Sequence, residues 1–282
     1  MNLAARLEAV LGARVTATVP LSSGYGLEVM RVDLADGRRL VVKHGPGPRP
    51  GHLPLEGWML ERLEGVLPAP RVHHAAEDLL VMDHVAGGPP GPACEVDMAR
   101  HLARLHGRKQ PFFGLERDTS IGPLPQPNPP TGRWLDFFRD HRLLFMARLA
   151  AAEGRIGPRL LERLERLAAD LVRHVAEPAW PALLHGDVWG GNVLCRAGRV
   201  TGFIDPALQY GHPELELAFM TMFGTAGDRF FAAYGEMRPE FDPQGFAERR
   251  EIWLIWPHLT HVLIEGPSYA GFIDRVLAER GY

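Results

Sequence analysis

The sequence predicts an α+β protein of two lobes: a small antiparallel sheet with one helix packed on it over residues 1–85, and a larger, mainly helical lobe over 86–282. Three observations carry this expectation. Residues 14–43 form three short runs of alternating apolar and polar character separated by Gly-containing turns, the period-two signature of paired strands. Beyond residue 94 the apolar residues recur every three or four positions in long stretches, as amphipathic helices require. Between the two regimes lies A-G-G-P-P-G-P at 86–92, a linker by composition.

In the first lobe, Leu3, Leu7, Val10 and Leu11 share a helix face, and Gly12 suits its end. Arg14–Leu21 reads as a strand, Ser22-Ser23-Gly24-Tyr25-Gly26 as a loop, and Leu27–Leu34 as a second strand. Asp36-Gly37 is a hairpin turn into a third strand, Arg38–Lys43. A glycine-containing loop lets backbone N–H groups approach an anion, which makes Ser23 and Gly24 candidate phosphate contacts; an ordinary hairpin turn is the alternative. Pro and Gly break the chain at 44–51, and a helix follows at 53–64 with Leu55, Met59, Leu60 and Leu63 on one side. Glu56 on this helix is placed to pair with Lys43, with Glu61 and Glu64 as alternatives. Val72–Ala75 and Leu79–Val81 complete a five-stranded sheet that leaves through Met82, Asp83, His84 and Val85 into the linker.

In the second lobe, a helix at 94–106 buries Met98, Leu102 and Leu105, and His106 at its end reads as a structural histidine. Residues 108–130 show little periodicity. Trp134–Leu149 and Ile156–Val175 read as helices whose aromatic and leucine stripes are core. Pro178 and Pro181 precede the apolar pair Leu183-Leu184.

The chemistry concentrates in H-G-D-V-W-G-G-N at 185–192 and in a hairpin ending on Asp205-Pro206. A loop carboxylate followed five residues later by an asparagine, then a strand delivering a second carboxylate, is the layout of kinase-like phosphoryl transfer. On that reading Asp187 is the base for an acceptor hydroxyl, and Asn192 and Asp205 hold Mg²⁺. His185 braces the loop, and Trp189 faces the substrate. Lys43, positioned by Glu56, contacts the ATP phosphates, Met82 backs the adenine pocket or serves as core, and Asp83–Val85 form the hinge.

Composition sharpens two of these assignments. Of 31 basic residues 29 are Arg, only Lys43 and Lys109 being Lys, and Asn occurs only at Asn2, Asn128 and Asn192. Where Lys and Asn are scarce, their presence at the two positions that need an ammonium point charge and an amide oxygen carries weight, because a planar guanidinium does not replace an ammonium. A net charge of -3 gives no basic surface for nucleic acid or anionic membrane. The N-terminus lacks a long apolar segment and no apolar run reaches a membrane span, so a cytoplasmic protein, monomeric or weakly dimeric, is expected. Cys94 and Cys195 lie far apart without CxxC spacing, so neither a disulfide framework nor a zinc site is expected.

Downstream, the chain reads D-P-A-L-Q-Y-G-H-P-E-L-E-L-A at 205–218. With the Trp-containing loop at 185–192, this resembles the fructosamine kinases (ketosamine-3-kinases), within the aminoglycoside phosphotransferase and choline kinase superfamily of protein-kinase-like fold. R-W-L-D-F-F-R-D-H-R-L at 133–143 and H-L-T-H at 258–261 extend the likeness along most of the chain. It departs in its glycine-poor nucleotide loop, in Glu216 where the family has Asp, and in one extra residue near Leu208-Gln209. The resemblance implies ATP-dependent phosphorylation of the sugar 3-hydroxyl of a small-molecule or protein-bound ketosamine, followed by release of the amine. It also implies that Trp189, Tyr210, His212 and Glu214 shape the sugar-amine site; for His212 and Glu214 a role at a helix start is the alternative. The competing readings are a kinase of the same fold acting on an aminoglycoside, choline or homoserine, and a nucleotide-binding pseudokinase scaffold.

Overall fold

The computed structural model describes residues 2–282. The chain divides into two compact units: the residues up to Pro89 together with Gly191–Pro206, and Pro90–Gly190 together with Ala207–Tyr282.

The first unit opens with α1 (Leu3–Leu11). The Asn2 side chain accepts from Ala5 N, and Gly12 closes the helix at φ 66°; an N-cap of this kind contributes about 1 kcal/mol. β1 (Val15–Gly24), β2 (Leu27–Leu34) and β3 (Arg39–His44) follow, then α2 (His52–Leu63), β4 (Val72–Ala76) and β5 (Leu79–Asp83). The strands form one antiparallel sheet in the order β1-β2-β3-β5-β4. β5 is covered on both faces, which is why it reads Leu-Leu-Val-Met without a polar break, whereas β1 is largely exposed. Leu79 and Val81 join Leu7, Val32, Leu34, Leu40 and Val42 in one cluster. Leu80 and Met82 join Leu53 and Leu60 of α2 in another, with Val41 packed against it. Because side chains alternate along a strand, Lys43 shares the α2 face with Val41 rather than the α1 face with Leu40 and Val42.

The loop expected at 22–26 needs correction. β1 continues to Gly24, with Ser23 opposite Glu28 and Gly24 opposite Leu27. The turn is Tyr25-Gly26 alone, at φ 51° and 77°. Two successive positive φ values give the mirror-image turn whose twist matches the flanking strands. Tyrosine is an unusual residue there, so the pattern does not announce itself.

The second unit begins with α3 (Glu95–His106). A short hairpin, β6 (Thr119–Ile121) and β7 (Leu124–Gln126), lies inside the segment expected to be irregular. α4 (Trp134–Phe138) and α5 (Leu144–Ala152) are joined by a π-helical stretch, Arg139–Leu143, and α6 (Pro158–Ala169) follows. After β8 (Ala182–Leu184) the chain supplies the first unit with an antiparallel hairpin, β9 (Val193–Arg196) and β10 (Arg199–Phe203). Returning to the second unit, β11 (Gln209–Gly211) pairs with β8. Four helices complete it: α7 (Pro213–Met222), α8 (Asp228–Met237), α9 (Pro243–Ile264) and α10 (Ala270–Glu279).

Trp134 and Trp253, both fully buried, centre the aromatic core of this unit with Phe137 and Phe138. Arg142, in the π-helical stretch, is also fully buried. It donates to Gln209 Oε1 (2.8 Å), the carbonyls of Pro127 (2.6 Å) and His141 (2.8 Å), and Asn128 Oδ1. Burial pushes its guanidinium down to about 9, against the pull of Asp118. Neither Cys94 nor Cys195 is a free thiol, which corrects the expectation drawn from their spacing; spacing is a guide only to local frameworks. Among the described residues no helix is long and apolar enough to cross a membrane.

Candidate active site

In the first unit three charged side chains meet. Lys43 Nζ donates to Asp205 Oδ1 at 2.5 Å and pairs with Glu56 Oε1 at 2.7 Å. Glu61 and Glu64 are exposed, so α2 presents Glu56, which is buried, to the sheet. Burial alone would lower the Lys43 pKa, but Asp205 and then Glu56 more than offset this and hold it raised. Burial raises Glu56, and Asp205 adds to the rise against the opposing attraction of Lys43. The ammonium is thus fixed in its charged form by two carboxylates.

The β9–β10 hairpin places the expected metal ligands. Val193 pairs with Phe203, and Ile204 N donates to Asn192 O at 3.0 Å, so Asn192 and Asp205 stand at the two open legs. Asp205 has φ 55° although it is not glycine and precedes Pro206, which disfavours helical backbone. Such a conformation costs about 1–3 kcal/mol and persists where the surroundings impose it; here Lys43 grips the side chain. Among the described residues no group of three or more His, Cys, Asp or Glu is arranged to hold a metal. One carboxylate and one amide oxygen instead suit a hard cation that completes its shell with water and phosphate oxygens, as Mg²⁺ does.

Met82 is core, 3% exposed beside Leu53 and Leu60. The N–H groups of Asp83 and His84 are engaged by the carbonyls of Arg71 and Arg39. Among the described residues no backbone carbonyl outside the regular strands and helices accepts from Val85 N–H.

In the second unit the loop after β8 is held by its backbone. Gly186 has φ 88°, and a Cβ there would lie 2.0 Å from the carbonyl oxygen of Ala207. Ala207 N in turn donates to His185 O at 2.8 Å, so only glycine fits at this position. Asp187, partly exposed, receives its orientation from the flanking bonds: its N–H donates to His185 Nδ1 (3.3 Å), and Gly186 N donates to Glu216 Oε1 (2.5 Å). Trp189 is 40% exposed.

Glu216 is a positioning residue that the sequence shows only as a helix-start charge. Its Oε2 pairs with His106 Nε2 at 2.9 Å, and His106 Nδ1 meets Tyr234 OH at 2.7 Å, all three residues being buried. Burial raises the Glu216 carboxyl, but the His106 hydrogen bond and charge, with the Gly186 N–H, bring it below its ordinary value of 4.5. A depressed folded pKa means stabilisation present above 4.5 and lost as pH falls through the folded value. Glu216→Gln is expected to cost about 2 kcal/mol at pH 7, the scale of a hydrogen bond to a charged group. Urea titrations at decreasing pH should show that gap closing below pH 4.5; a gap independent of pH would remove the charge from the account.

His212 and Glu214 hold the start of α7. His212 Nδ1 accepts from Glu214 N at 3.1 Å, its ring lies against Trp134 and Trp253, and burial pushes its pKa down to about 4. Glu214 is 5% exposed and binds Arg249 at 2.6 and 2.9 Å and Trp253 Nε1 at 2.9 Å. Its charge is neutralised within the chain by Arg249. Both residues line a cavity of about 190 Å³ with Trp180 and Tyr234. Tyr210, half-buried on β11, exchanges backbone hydrogen bonds with Gly114.

Known proteins are similar to this chain over most of its length. A Thermus thermophilus protein named for ketoamine kinase activity is 32% identical over 262 residues, 92% of each chain. Protein-ribulosamine 3-kinase of Arabidopsis thaliana is 30% identical over 214 residues, 71% of this chain and 62% of that protein. A Thermobifida fusca crystal structure named for fructosamine-3-kinase superposes with a TM-score of 0.88 at 32% identity, covering 99% of both chains. The fructosamine kinase family pattern matches residues 67–279, a span that takes in the Lys43-facing strand β5, the 185–192 loop and the D-P-A-L-Q-Y-G-H run. With the fold, the loop and the sequence in agreement, the chain belongs to the fructosamine kinase family.

Proposed function

We propose that this protein transfers the γ-phosphoryl group of ATP to the sugar 3-hydroxyl of ketosamines, free or protein-bound, and so initiates release of the amine. The observation that carries the reading furthest is the Lys43 ammonium held by Glu56 and Asp205, beside a hairpin whose legs bear Asn192 and Asp205. Lys43 contacts the phosphates, with Glu56 fixing its position. Asn192 and Asp205 would hold Mg²⁺, which when bound neutralises charge on the phosphate oxygens. The nucleotide is held by the backbone near Ser23 and Gly24 and at Val85. Asp187 orients the acceptor hydroxyl and takes its proton as the new O–P bond forms and the bond to ADP breaks. Trp189 borders the sugar, with Tyr210 behind it.

An acceptor panel with ATP and Mg²⁺ tests the reading. Ribuloselysine or fructoselysine should be phosphorylated with kcat/KM at least about 10⁴ M⁻¹s⁻¹, an ordinary enzymatic value. Phosphorylation of an aminoglycoside, choline or homoserine with no turnover of either ketosamine would overturn it.

A further inference from the structure

From the 185–192 loop a line of aromatic rings crosses the second unit. The Trp189 ring lies 6.0 Å from Phe223, Phe223 lies 5.3 Å from His261, and His261 lies 4.9 Å from Tyr269, centroid to centroid. The line is not core. Trp189 is 40% and Phe223 44% exposed, and His261 and Tyr269 are half-buried. Buried Phe219 backs it, 6.1 Å from Phe223 and 6.5 Å from His261. Phe223 occupies the end of α7, His261 the last turn of α9, and Tyr269 the stretch before α10, so three separate helical segments converge on one strip.

His261 adds a polar feature to this strip. Its Nδ1 lies 2.7 Å from the carbonyl of Pro257, and a carbonyl only accepts, so Nδ1 carries the proton. In the neutral ring Nε2 is then an acceptor, and among the described residues nothing donates to it. Ring faces with negative quadrupoles and one lone pair, beginning two residues from Asp187, are complementary to a cationic alkylammonium whose N–H needs an acceptor.

The geometry points to a subsite for the amine-bearing arm of the acceptor: Phe223, His261 and Tyr269 take the protonated secondary amine and its alkyl chain, while the sugar lies by Trp189. This deepens the ketosamine reading and rests on it. The ring faces select for the amine rather than for the sugar, so the strip sets discrimination between a ketosamine and the bare ketose.

The test is steady-state kinetics of the full chain with ATP and Mg²⁺. The acceptors are a ketosamine, its neutral N-acetyl derivative and the parent ketose. Wild type should favour the cationic acceptor. Phe223→Leu, which keeps apolar bulk at an exposed site, and Tyr269→Leu should each lower the ketosamine-to-ketose ratio of kcat/KM by about tenfold, mainly through KM, the scale of a partly desolvated cation–π contact. Phe223→Tyr should restore the ratio. A ratio within twofold of wild type in both leucine variants overturns the subsite while ketosamine turnover by wild type keeps the activity intact. No ketosamine turnover by wild type would instead fell the ketosamine reading, and the subsite with it. As a check independent of variants, saturation of aromatic protons in wild type should transfer to the alkyl protons next to the amine of bound ketosamine; transfer to the sugar protons alone also overturns the proposal.

Discussion

Asp187→Asn is expected to lower kcat by about 10³-fold while leaving the affinity for ATP within twofold, because general-base assistance contributes ~10²–10⁴. The amide keeps the size of the carboxylate and can still accept a hydrogen bond, but it cannot take the proton. The loop should survive the change, since its shape comes from Gly186, Ala207 and Glu216 rather than from the Asp187 side chain. Nucleotide contacts should survive as well, because the Lys43, Glu56 and Asp205 cluster is held within the first unit. Single-turnover rates with saturating ketosamine, alongside calorimetric ATP titration, separate the two effects. A loss below tenfold would remove Asp187 from the role of base. A parallel loss of ATP affinity would mean that the loop had collapsed.

What could be read from the sequence was whatever depends on short-range pattern. The period-two runs locate β2 and β3, and alternation alone puts Lys43 opposite α2. Scarcity proved a broader signal than catalysis. Besides Asn192, Asn2 caps α1, and Asn128 accepts from Arg142 and donates to Thr119 Oγ1 at 2.8 Å. Besides Lys43, Lys109 lies 3.5 Å above the Trp180 ring. A rare residue type thus marks a position with a demanding partner, whatever its purpose. Features that depend on distant partners stayed hidden. β8 and β11 are three residues each and lack a connecting turn, so no local signal pairs them. The Glu216–His106–Tyr234 chain and the Phe223–His261–Tyr269 strip join residues from separate helices, and each residue alone reads as ordinary charge or core.

The same blindness applies to Arg142, whose replacement by Leu is expected to destabilise the protein by about 4 kcal/mol, the scale of breaking a buried charged network. Leucine fills much of the volume but donates nothing, leaving Gln209 Oε1, Asn128 Oδ1 and the carbonyls of Pro127 and His141 without their donor. Each such loss costs about 1–3 kcal/mol, partly offset because the cation no longer has to be desolvated. Measured against a typical total of about 5–15 kcal/mol, this is a large fraction, and urea unfolding should register it directly. Arg142→Lys should recover only part of the loss, since one ammonium cannot span acceptors that a planar fork reaches together. A change under about 1 kcal/mol for Leu would mean that water takes over the acceptors and that the network organises nothing. The consequence reaches the active loop through Gln209, which pairs with Leu184 on β8, the residue immediately before His185. Loss of turnover in Arg142→Leu at temperatures where the variant remains folded would therefore place this buried arginine upstream of Asp187, acting through backbone position rather than through charge.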